Sequence, residues 1–185
     1  MVKVENEGRG KEIIIEENPF SRWLFTNTRS AWIWLILRLY LGYTWLSAGI
    51  GKVTSDAWTG ENAGAAVKGF MGGAIALAEE GEVAGWYAWF LENLVIPNAV
   101  TFSYMVAWGE VLIGLGLIVG LLTGIAAFFG AMMNMSFLLA GTVSSNPVMF
   151  MIAILIIMAW KVAGWYGLDR WALPRLGTPW TIKRK

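Results

Sequence analysis

The chain is organised as long apolar runs separated by short polar connectors. The first run, residues 31–50, reads AWIWLILRLYLGYTWLSAGI; its ~20 residues, at 1.5 Å rise, match the ~30 Å hydrocarbon core of a bilayer. Further runs cover residues 100–120, 121 or 122 to 139, and 148–165. The tight Leu121-Leu122-Thr123-Gly124 connection predicts an antiparallel helical hairpin between the second and third runs. Pro147, closing the polar connector 141–147, suits the first turn of the fourth helix. Trp32, Trp34, Trp160, Trp165, Tyr166 and Trp171 gather at run ends, as interfacial belts do.

The stretch between the first and second runs has a different pattern. Residues 63–78 are Ala/Gly-rich with Lys68 inside, too short and interrupted to span a bilayer. Residues 86–96 carry a wide apolar face with one polar edge at Glu92 and Asn93, and Pro97 ends them. Both predict helices lying in the membrane interface. The expected fold is therefore all-α: an integral membrane four-helix antiparallel bundle with interfacial helices between the first and second spans. Residues 1–30 form a cytoplasmic tail, 31–166 the transmembrane domain with 54–97 as external connector, and 167–185 a basic cytoplasmic tail. The first tail alternates charges, with Ile13 to Ile15 as one strand-like or amphipathic turn, and lacks the apolar core of a signal peptide.

Polar residues interrupt the spans on defined faces. Arg38, Gly42, Trp45, Gly49 and Lys52 recur at i, i+4, i+7, i+11 and i+14, within about 40° of one line on a helix. Ser103, Ala107, Glu110 and Gly114 share a face of the second span, and Ala127, Gly130, Asn134, Leu138 and Gly141 one of the third. Small residues let helix backbones approach and leave larger polar side chains in shared space. A charge at bilayer depth costs a few kcal/mol, ~3 on insertion scales, so it seeks a partner or a cavity. That expectation pairs Arg38 with Glu110 and marks the pair as the first place to look for function. Asn134 also fits plain interhelical hydrogen bonding, Lys161 snorkelling to the headgroups, and Lys52 an interfacial anchor. The methionines read as adaptable packing.

Composition narrows the chemistry. Hydrophobic residues make up 57% of the chain and charged ones 15%, against ~25% charged in soluble domains. With no Cys and no His, disulfides, thiol redox and the usual ligands of haem, zinc and copper are excluded, so any electrons handled require an organic carrier. A net charge of +1 without a basic block argues against nucleic acid. Positive charge sets the orientation. Lys3, Arg9, Lys11, Arg22 and Arg29 precede the first span, and Arg170, Arg175, Lys183, Arg184 and Lys185 follow the fourth. The 54–97 connector instead holds Asp56, Glu61, Glu79, Glu80, Glu82 and Glu92 against Lys68. Both termini are expected in the cytoplasm of a multi-pass cell-membrane protein.

The run Arg38 to Tyr43, with Trp45-Leu46-Ser47-Ala48-Gly49-Ile50-Gly51-Lys52, resembles the first-helix signature of the DoxX/DoxD family of membrane proteins. Trp108-Gly109-Glu110, Gly130 to Asn134 and Gly164 to Arg170 resemble its later elements, so the likeness covers about residues 33–180. It implies a quinone-interacting membrane redox protein, such as the DoxD-type subunit of a thiosulfate:quinone oxidoreductase. The acceptor would be menaquinone or a similar quinone, without metal or haem. Implied partners are the bilayer and a DoxA-like or other redox subunit; a second copy of the chain is a further candidate. A quinone ring is flat and needs hydrogen bonds at two carbonyls. Trp45 could stack on it, Arg38 or Asn134 donate to it, and Glu110 exchange its protons, making Arg38 and Glu110 the catalytic candidates. Lys52 suits an anion such as thiosulfate, and Tyr43 in the first-helix motif joins the binding candidates. A non-catalytic membrane scaffold for a redox complex and a small transporter or lipid-binding bundle stay open. Cysteines placed at Ser145 and Lys183 should react with impermeant label from opposite sides of the membrane; labelling from one side refutes the topology.

Overall fold

A computed structural model describes residues 16–176. The Ile13 to Ile15 turn and the Lys183 to Lys185 cluster lie outside the described residues. Among those residues the protein is helical, with no strand. An amphipathic helix, α1 (Pro19–Thr26), stands where the sequence reading has only a tail. Asn18 caps it by accepting from Phe20 N at 2.9 Å, and Pro19 occupies its first turn.

The central helix α2 (Ala31–Val53) runs 23 residues, about 34 Å, without an internal breaker. After it come α3 (Ala65–Glu79) and α4 (Gly85–Phe90), the latter continuing into a π-helical turn, Leu91–Val95. Ile96 N there donates to Leu91 O, and Pro97 offers no N–H to carry the helix on. The remaining elements are α5 (Ala99–Val119), α6 (Thr123–Leu139), α7 (Asn146–Met158), α8 (Trp160–Ala163) and α9 (Asp169–Arg175). Two segments, Thr28–Val53 and Ala99–Val119, are long and apolar enough to cross a membrane; α6 and α7 are shorter apolar helices. The fourth run is thus broken into two helices at Ala159, which brings the Trp160 side chain against Gly124.

One apolar core joins α2, α5, α6, α7 and α8 around Trp34, Leu41, Trp45, Leu117 and Ile156. Trp34 is buried here, its indole N–H donating to Leu24 O at 2.9 Å, so it anchors α1 rather than belonging to an interfacial belt. A second core, with Val67, Tyr87, Leu91 and Val95, fixes α3 and α4 over the Ala99 end of α5 and the Ala140 end of α6. Tyr87 Oη donates to Ser136 O at 2.8 Å, and burial pushes its phenol pKa up, which keeps it a donor.

Helices α2 and α5 pack antiparallel, almost backbone on backbone. A Cβ on Gly49 would lie 2.6 Å from Val111 N, and one on Gly114 2.5 Å from Leu46 N. Neither atom can move without shifting a helix. Gly49→Leu should therefore destabilise the protein by about 1–3 kcal/mol or more. Gly51→Ala, where nothing lies within 4 Å, should be neutral or stabilising by up to about 1 kcal/mol. Unfolding of both variants in detergent or nanodiscs checks the contrast.

Candidate functional site

The register of α2 on α5 decides which charges meet. Gly42 lies against Gly114, Leu117 and Ile118, and Gly49 against Glu110 and Val111. One turn further along α2, Lys52 Nζ donates to Glu110 Oε2 at 2.7 Å. Glu110 is 1% exposed and the Lys52 side chain 21%, so the pair has one dry member and one that reaches an opening. The Trp58 ring lies beneath the ammonium, 5.1 Å from Nζ to its centroid. Trp58 is held in place where its carbonyl accepts from Ser103 Oγ at 2.6 Å.

The expected Arg38–Glu110 pair does not form. Arg38, 1% exposed, sits beside Gly120 and Gly167 at the other end of α5 and donates to Tyr166 O at 3.0 Å. Its electrostatic partner is Asp169. The two charges lie at different depths, because α2 overhangs α5 on the Ala31 side by about 10 Å, the length of residues 31–37. Gly120 must be glycine here, because a Cβ would occupy the space of the Arg38 guanidinium and its φ is +67°. Asp169, which sequence reasoning missed, accepts from Leu122 N at 2.6 Å and Thr123 N at 2.9 Å, capping α6 through both carboxylate oxygens. The sequence offers only a lone acid before a basic tail; its partners, the backbone N–H groups of a hairpin turn 46–47 positions earlier, leave no mark in the residue pattern.

A cavity of about 380 Å³ surrounds the Lys52–Glu110 pair. Trp45 and Val106 form part of its walls, Val67, Phe70 and Met71 of α3 roof it, and Phe137 closes the α6 side. Ser144 and Ser145 from the α6–α7 connector and Ala48 of α2 are exposed and form its rim. Of the residues singled out from sequence, Trp45, Lys52 and Glu110 come together here. Arg38 belongs to the opposite end of the bundle, and Tyr43 is 70% exposed on the outward face of α2. Asn134 is fully buried on α6, one turn from Gly130, which abuts Trp45 Nε1. Neither amide atom of Asn134 nor the Trp45 indole N–H finds a protein partner, so this seam holds hydrogen-bonding capacity that the fold does not use. Among the described residues no His/Cys/Asp/Glu group is arranged to hold a metal ion.

Among the described residues these features define a helical protein, with apolar, outward-facing helices around a small cavity that encloses one ion pair. The DoxX family model matches residues 33–143, and the chain belongs to this family of membrane proteins. Neither curated proteins nor solved structures give a match.

Lys52→Met strands a buried carboxylate and should cost about 3–5 kcal/mol, unless Glu110 takes up a proton. Glu110→Gln should cost less, because Lys52 reaches the opening. A double-mutant cycle on the pair should return a coupling of about 0.5–3 kcal/mol, while Arg38→Met and Glu110→Gln should add within about 0.5 kcal/mol. Coupling of Glu110 to Arg38 instead of Lys52 would overturn the register.

Proposed function

We propose that the protein is a four-span membrane protein whose cavity takes the ring of a membrane quinone for redox turnover. Outward-facing side chains on all four main helices support the membrane reading. Ile36 and Leu39 on α2, Leu112 on α5, Phe128 on α6 and Met151 on α7 are all exposed. The observation that carries the quinone reading is the cavity itself: mostly apolar walls with Trp45 among them, and one ion pair to meet ring oxygens. At about 380 Å³ it falls in the range of small-ligand pockets, ~300–1,000 Å³.

A bound quinone supplies acceptance of two electrons and two protons. In the thiosulfate:quinone oxidoreductase form of this reading, two thiosulfates give up those electrons as they join through a new S–S bond to form tetrathionate. A DoxA-like or other partner subunit would assist. Lys52 donates a hydrogen bond to a ring oxygen and holds Glu110 in place. Glu110 carries protons between Lys52, the ring and the serine-lined rim. Trp45 stacks on the ring, while Asn134, buried one turn from Gly130 and outside the cavity lining, has no contact with it. Arg38 has no part at the ring; with Asp169 it fixes the opposite end of the bundle.

Binding of menadione to protein in nanodiscs, followed by tryptophan quenching and native mass spectrometry, tests the reading. Trp45→Ala should weaken binding by about 1–3 kcal/mol if the ring stacks there. Glu110→Gln should leave binding near wild type and slow quinol formation by about 10²-fold, through loss of the proton carrier. Absence of binding, or both variants behaving as wild type, would leave the polar face as helix-packing glue and favour a scaffold.

A further inference from the structure

A second, larger recess runs along the outside of the molecule between α5 and α6. Its volume is about 700 Å³, and its only polar side chain is Ser136, whose hydroxyl is turned back onto Met132 O. Gly109, Gly116 and Ala126 make its floor low. The recess and the charged cavity share one wall residue, Val106. On α6 the partition falls between Phe137, which lines the cavity, and Ser136 and Met133, which line the recess.

Its lining and length select the occupant. From Met105 to Val119 the recess follows about 21 Å of α5 and ends at the Leu121–Leu122 turn. Over that length Ser136 is its one polar side chain, so it offers no hydrogen bonds to a polar guest and suits a hydrocarbon chain. Met105, Met132 and Met133 along the walls are unbranched and adapt to a branched chain.

We infer that the α5–α6 recess holds the prenyl chain of the ligand whose ring lies in the cavity, the chain leaving past Val106. The inference rests on the ring reading above and narrows it: the substrate class is a long-chain quinone drawn from the bilayer. Recognition is divided, with the ion pair and Trp45 reading the ring and the recess reading the chain.

Two probes in nanodiscs separate the parts: menadione, which is the ring alone, and a naphthoquinone carrying a long prenyl chain. Gly109→Leu fills the floor where a new Cβ meets only Met133 Sδ, at 3.7 Å, and Leu112→Trp narrows the exposed edge without touching the core. Each should lower affinity for the chain-bearing probe by about tenfold or more relative to wild type, with menadione binding unchanged. Comparing variant with wild type in the same bilayer cancels partitioning of the chain into lipid. Should Gly109→Leu fail to fold, Leu112→Trp carries the test alone. Equal losses for both probes, or no loss for the chain-bearing one, overturn the chain site while leaving the ring reading intact. Failure of wild type to bind either probe overturns both.

Discussion

The contact between α2 and α5 governs the molecule. Glycines at 42, 49 and 114 let the two backbones touch, and a contact made by backbone atoms permits only one register. From that register the two charge clusters follow. Lys52 reaches Glu110 near the roofed end, and Arg38 arrives beside Gly120 at the other. A shift of one turn would leave Glu110 against apolar side chains and force the Arg38 guanidinium into the hairpin backbone. Charge pairing and close packing therefore select the same arrangement, which is the mark of a consistent fold.

The two clusters differ in chemical character. At the Gly120 end, Arg38 and Asp169 are both buried and are met by backbone groups: the Tyr166 carbonyl for one, the Leu122 and Thr123 amides for the other. Charges held this way organise chain ends and turns. At the roofed end, Glu110 has one side-chain partner and faces open volume, and Lys52 reaches the opening. Arg38 keeps Nε and Nη1 without a partner in the protein, but the cavity does not adjoin them; the second arrangement sets its charged groups in open volume.

That the fold is helical was legible in the sequence because long apolar runs announce themselves by length and face. The stripe Arg38, Gly42, Trp45 and Gly49 is buried as its spacing implies, as are Ser103, Ala107, Glu110 and Gly114. The α3 and α4 helices fall close to where their composition placed them. What periodicity cannot give is the offset between two helices along their axes. That offset misdirected Arg38 to Glu110 and left Lys52, read as an interfacial anchor or an anion site, without its carboxylate partner. The helix α1 escaped notice because eight residues are too few for a periodic signal to stand out. Asp169 escaped because its partners are backbone amides, which no residue pattern displays.

The cap that Asp169 places on α6 also has a temporal side. Its carboxylate meets Thr123 N across 46 positions of chain, so α6 is synthesised, and α7 and α8 after it, before the acceptor for its first amides exists. Leu122, held at φ 50, is likewise without its partner until then. Synthesis of the long helices and completion of this cap are therefore separated in time. The second waits for the last described helix to leave the ribosome. A chain interrupted after α8 would keep every long helix and lack the clasp between its hairpin and its end. Such a fragment offers quality control a definite feature to read: an unsatisfied α6 N-terminus, with Arg38 beside it and no carboxylate to meet it.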